Sequence, residues 1–99
     1  MGRANVLYKT KYSCFSSITE CFITTPMSKR RYEKWRKKQY GESYYCSLDN
    51  SYFITIEEAI NSICLNRNFD ESINTLKEAK LLDKYTRRLV INYYLNSKE

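Results

Sequence analysis

The run Asn5-Val6-Leu7-Tyr8-Lys9-Thr10-Lys11-Tyr12-Ser13-Cys14 decides the fold class. Val6, Tyr8, Thr10, Tyr12 and Cys14 alternate with Lys9, Lys11 and Ser13. Successive side chains of an extended chain point to opposite faces, so a period of two predicts a half-buried strand over 5–14. Phe15-Ser16-Ser17 reads as a turn, and residues 18–25, rich in β-branched and aromatic types, read as a second extended run. On this reading Lys9 and Lys11 share the outer face of a first hairpin.

Further along, the period changes from two to that of a helix. Thr55-Ile56-Glu57-Glu58 has the form of a capping box, with Thr55 facing the third helical N–H and Glu58 reaching back. Ile56, Ala59, Ile60, Ile63 and Cys64 then fall on one side, a core face running to about Asn66. Asp70 is the expected cap of a helix over 71–82 with Ile73, Leu76 and Ala79 inward, and Asp83 the cap of a last segment. That segment, 84–96, is apolar around the whole helical wheel and also suits a strand; the cap and the length select helix. Before these helices, 42–48 and 51–55 flank Asp49-Asn50 as a second expected hairpin, with Tyr44 and Cys46 alternating with Tyr45 and Ser47. The expected architecture is therefore α+β. It is a small single domain over 1–99 with flexible ends at 1–4 and 97–99, antiparallel β-hairpins, a basic helix between them, and two to three C-terminal helices.

The basic helix is the stretch Ser28-Lys29-Arg30-Arg31-Tyr32-Glu33-Lys34-Trp35-Arg36-Lys37-Lys38-Gln39-Tyr40-Gly41. Thr25-Pro26 supplies a start and Gly41 a stop, which predicts a helix over 26–40. Seven of the chain's 17 Lys and Arg lie here against one of its 11 acids, so the whole formal charge of +6 is local and the remainder is neutral. Ser28, Tyr32, Trp35 and Gln39 share a narrow stripe that can dock on the body, with Lys29, Arg30, Lys34, Lys37 and Lys38 sweeping across the other side. Like charges four apart, Arg30 with Lys34 and Lys34 with Lys38, repel, and a polyanion would relieve that repulsion. The charge pattern points to nucleic acid held by its phosphates through Lys29, Arg30, Arg31, Lys34, Arg36, Lys37 and Lys38. Tyr40, Tyr44 and Tyr45 are candidate stacking groups. The alternative is a protein-interaction module, an adaptor or inhibitor that meets an acidic protein surface with the same basic face or with the tyrosine-rich hairpin. Arg87 and Arg88 with Lys80 and Lys84 form a second, weaker basic patch, and Glu78 and Asp83 among them are expected to neutralise it.

Composition narrows the function classes. Ninety-nine residues bury only about 60 to 68% of their unfolded surface, one modest core with no room for a separate catalytic domain. There is no histidine, the carboxylates are scattered, and no Walker, Rossmann or nucleophile-elbow motif occurs, so the chain is expected not to be an enzyme and to use no cofactor. Glu57 and Glu58 are adjacent and diverge by about 100° on a helix, so they suit the helix dipole and not one substrate atom. Cys14, Cys21, Cys46 and Cys64 show no C-x-x-C spacing, which argues against a zinc site. Cys14 and Cys21 could close a disulfide across a hairpin in an oxidising compartment, but buried free thiols suit a small apolar residue. The helices after 55 invite comparison with a helix-turn-helix, yet residues 66–70 hold no glycine and the would-be recognition helix no concentrated charge. No run of about 18 apolar residues exists, and Lys9, Lys11 and Glu20 interrupt any signal-peptide core, so an intracellular, cytoplasmic chain is expected. The abundance of Asn, Lys, Ile and Tyr fits an AT-rich genome, viral or microbial.

Overall fold

The computed structural model describes residues 2–41, 48 and 51–96, with the side chain of Tyr40 outside the description. The fold is α+β: a four-stranded mixed sheet with helices on both faces. The strands are β1 (Arg3–Tyr8), β2 (Lys11–Ser16), β3 (Cys21–Phe22) and β4 (Phe53–Ile54), and the helices α1 (Lys29–Tyr40), α2 (Ile56–Leu65), α3 (Phe69–Glu78) and α4 (Lys84–Asn96). Sheet order is β3-β2-β1-β4, antiparallel except for β1 with β4, which run parallel.

The strand expected over 5–14 is two strands. Tyr8 pairs with Lys11, and Lys9 and Thr10 between them both have positive φ, 49° and 65°. This is the geometry of a two-residue primed turn, whose backbone twist suits a hairpin but whose usual signal is Asn-Gly. Two side chains in the left-handed region cost about 1–2 kcal/mol each. The turn is held by Asp83, which accepts from the Tyr8 hydroxyl at 2.7 Å and pairs with the Lys9 ammonium at 2.9 Å. The expected turn at 15–17 is displaced accordingly: Phe15 and Ser16 finish β2, and the chain reverses over 17–20 before the short β3. Residues 3 and 4, expected to be loose, begin β1, with Ala4 buried.

Because Tyr8 faces Lys11, even-numbered residues of β1 share a face with odd-numbered residues of β2. Val6 and Phe15 look one way, into a core completed by Ile56, Ala59, Ile60, Ile63, Leu76, Leu81 and Val90 of the C-terminal helices. Tyr12 and Cys14 look the other way, where they meet Tyr32 and Trp35 of α1 together with Met27 and Leu48. A single alternating strand would have put Val6 and Cys14 on the same side. The reversal makes the sheet two-faced, with α1 on one side and α2, α3 and α4 on the other.

Thr55 caps α2, its side chain accepting from the Glu58 N–H at 3.1 Å. The start of α3 is set by Asn68 and Glu71, which form a reciprocal capping box, and not by Asp70. This helix ends at Glu78 instead of running to 82. Lys80 turns left-handed at φ 59°, its N–H bonds to Lys77 O, and the Leu81 N–H bonds to Leu76 O, a Schellman closure with both leucines buried. Asp83 and Thr86 cap each other at the head of α4, each accepting at 2.9 Å from the other's backbone N–H. The last segment is helical, as cap and length indicate. At its far end the Tyr94 hydroxyl donates to Arg67 O at 2.5 Å and meets Ser72 Oγ at 2.9 Å, fastening α4 across the α2–α3 junction. The first arm of the second expected hairpin, 42–48, lies outside the described residues except for Leu48, and β4 is the parallel neighbour of β1.

Candidate nucleic-acid interface

Helix α1 begins at Lys29, three residues later than Pro26 suggests. Met27 exchanges backbone hydrogen bonds with Tyr12, at 2.8 and 2.9 Å, so the chain stays extended up to that point. Ser28 is then the first free cap, and its hydroxyl accepts from the Arg31 N–H at 3.4 Å. Gly41 ends the helix with φ 76°, its N–H bonded to Lys37 O.

One side of α1 is tied firmly to the sheet. Tyr32 is fully buried and stacks between Tyr12 and Trp35, ring centroids 5.8 Å from each. Its hydroxyl donates to Asn5 Oδ1 at 2.6 Å, and Asn5 Nδ2 donates to Tyr52 O at 2.9 Å, so one polar chain links α1, β1 and the entry to β4. Buried polar groups cost free energy unless paired, and this chain pairs them.

The expected phosphate-binding set divides. Arg36 does not belong to the open face. It is 6% exposed, one turn from Tyr32, and its Nη2 donates to Ser51 Oγ at 2.6 Å. Its period places it with the docking stripe, a position the charge pattern alone concealed. Lys29, Arg30, Arg31, Lys34, Lys37 and Lys38 are exposed. Taking the Tyr32–Arg36 side as inward, Lys34 projects about 180° away, and Arg30, Arg31, Lys37 and Lys38 lie within about 60° of it. Lys29 sits on the flank toward Glu33. From Arg30 to Lys38 this outer arc is about 12 Å long.

Among the described residues, no carboxylate lies within 4.0 Å of the side-chain nitrogens of Lys29, Arg30, Arg31, Lys34 or Lys38. The first turn contains no acid, so Lys29, Arg30 and Arg31 crowd the positive pole of the helix dipole. Lys37 and Lys38 in the last turn suit the dipole but repel Lys34. Beside the arc runs a shallow groove in which Met27 and the half-buried Trp35 join Arg31, Lys34, Lys37 and Lys38. Met27 was not legible as part of this surface; only its pairing with Tyr12 brings it there. Of the proposed stacking tyrosines, Tyr44 and Tyr45 and the side chain of Tyr40 lie outside the described residues.

Burial pushes the Cys14 thiol up from its ordinary pKa, against the Tyr32 hydroxyl and the Arg3 and Arg36 charges that draw it down. A protonated, enclosed thiol is a packing group. Burial likewise raises Cys64, and the described cysteines Cys14, Cys21 and Cys64 are all free. Among the described residues no three His, Cys, Asp or Glu side chains are grouped to hold a metal ion, and no helix is long and apolar enough to cross a membrane. No protein-family model, curated protein or solved structure matches the chain.

Proposed function

We propose that this chain binds nucleic acid through the phosphate backbone, with the outer arc of α1 as the contact surface and no catalytic step. The observation that carries the reading is the arrangement of Arg30, Arg31, Lys34 and Lys38. These four exposed cations lie on one helical arc, none of them within 4.0 Å of a described carboxylate, on a helix whose other side is fixed by an aromatic stack. Holding like charges together costs a few tenths of a kcal/mol per pair, and a polyanion converts that cost into attraction while releasing its own counterions. Phosphate contacts position a protein without reading sequence, so affinity should be largely independent of base order.

The test is direct binding of the chain to duplex and single-stranded DNA and RNA at low salt, beside a variant with Arg30, Lys34, Lys37 and Lys38 replaced by Ala. Binding that the variant loses supports the reading. Absence of binding to every one of these probes, or equal binding by the variant, removes it.

A further inference from the structure

A second cationic surface lies on α4. Lys84, Arg87 and Arg88 are exposed and line one shallow groove with Leu82, Asp83 and Ile91. Thr86 and Val90 of the same helix are fully buried; at about 100° per residue Lys84 and Arg88 project to the opposite side, and Arg87 lies on the flank, about 80° from the buried direction. Neither expected acid forms an ion pair with these cations. Asp83 is turned toward the β1–β2 hairpin, where it takes the Tyr8 hydroxyl and the Lys9 ammonium while its other oxygen caps Thr86. Among the described residues no carboxylate, Glu78 included, lies within 4.0 Å of the Lys84, Arg87 or Arg88 nitrogens.

The two cationic surfaces belong to different layers. Helix α1 packs on the Tyr12 and Cys14 face of the sheet, and α4 belongs to the core on the Val6 and Phe15 face. Two layer spacings of about 10 Å put them some 20 Å apart with the sheet between them. A duplex held on α1 therefore lies on the other side of the sheet from the core to which α4 belongs.

We propose that the chain bridges two nucleic-acid segments, one phosphate backbone on α1 and a second on Lys84, Arg87 and Arg88; this rests on the reading of α1 given above. Charge complementarity selects the occupant: three exposed cations outside any ion pair, against the single carboxylate of Asp83 in the same groove, fit a second polyanionic backbone.

A two-duplex capture assay tests it. A short biotinylated DNA duplex is immobilised and loaded with the full chain, and a fluorescent duplex of different sequence is added at low salt. The chain should retain the fluorescent duplex, and the Lys84→Ala/Arg87→Ala/Arg88→Ala variant should still bind the immobilised duplex while its capture of the second falls by about tenfold or more. Bridging is overturned if the chain binds the first duplex and retains none of the second. It is overturned equally if the variant captures the second as well as the parent does, since a dimer joined through α1-bound copies would give that result. Failure to bind even the first duplex is a different outcome and removes the α1 reading itself.

Discussion

Replacing Arg30, Lys34 and Lys38 together by Ala removes three of the four cations on which the α1 interface rests, and the salt dependence of binding should register each of them. Log affinity for duplex DNA falls with log salt at about 0.9 per phosphate neutralised. Four contacts give a slope of about −3.6, and the one remaining in the variant, Arg31, about −0.9. Between about 50 and about 200 mM salt the parent should weaken by about 150-fold and the variant by about 3- to 4-fold. The assay is fluorescence anisotropy of a labelled duplex over a salt series, in a background carrying Lys84→Ala, Arg87→Ala and Arg88→Ala so that α1 alone is read. Any further contact, including Lys37, adds equally to both proteins, so the difference of about 2.7 in slope is the decisive quantity. The variant should fold. All three residues are exposed, and removing the Arg30–Lys34 and Lys34–Lys38 repulsions should raise stability by about 0.5 kcal/mol. Equal slopes for the two proteins would refute the assignment of these side chains to phosphate.

Three further outcomes follow from named contacts. Arg36→Ala should lower stability by about 1.5–3 kcal/mol in urea denaturation, by loss of the charged hydrogen bond to Ser51 and of buried packing, and leave the salt slope unchanged. A reduced slope would return Arg36 to the interface. Lys80→Gly should stabilise the chain by about 0.5–1 kcal/mol, since Lys80 occupies the left-handed C-terminal position of α3 where glycine carries no Cβ penalty; calorimetry reads this as a higher Tm. Asp83 yields a pH dependence. Its partial burial pushes its pKa up, but hydrogen bonds from Lys9, the Thr86 N–H and Tyr8 outweigh that and hold it well below the usual carboxylate range. A group depressed in the folded state stabilises above its unfolded pKa of about 3.9 and loses that contribution as pH falls toward the folded value. The stability advantage over Asp83→Asn should therefore be constant above about pH 5 and shrink below about pH 4. An advantage that grows on acidification would show that Asp83 is not held ionised by these partners.

Much of the helical half could be read from residue types. Thr55, Asn68-x-x-Glu71 and Asp83 each place a side-chain oxygen three residues ahead of a free N–H, and a local geometry of that kind survives in a one-dimensional string. Two departures there have separate causes: Asp70 competes with Asn68 for the cap, and Lys80 makes a left-handed closure that glycine would have announced. The β half was harder. Nothing in Lys9-Thr10 signals a primed turn, because the contact that stabilises it comes from Asp83 far downstream. Charge identified the α1 surface but not its membership. Arg36 is as basic as its neighbours, and only its place one turn after Tyr32 distinguishes it. On α4, Asp83 is a neighbour of the cations in sequence and in the groove, but its oxygens are taken by Tyr8, Lys9 and Thr86, which sequence alone does not show.

The turn at Lys9 and Thr10 works as a parity switch. Its two residues determine that Phe15 fills the helical core while Cys14 fills the aromatic one. A one-residue slip of that register would exchange their destinations, sending a phenylalanine into the space beside Tyr32 and a thiol into the gap among Ile60, Ile63 and Leu76. Loop length is usually the most forgiving property of a protein surface. At this reversal the pairing of Tyr8 with Lys11 is as constrained as any core side chain.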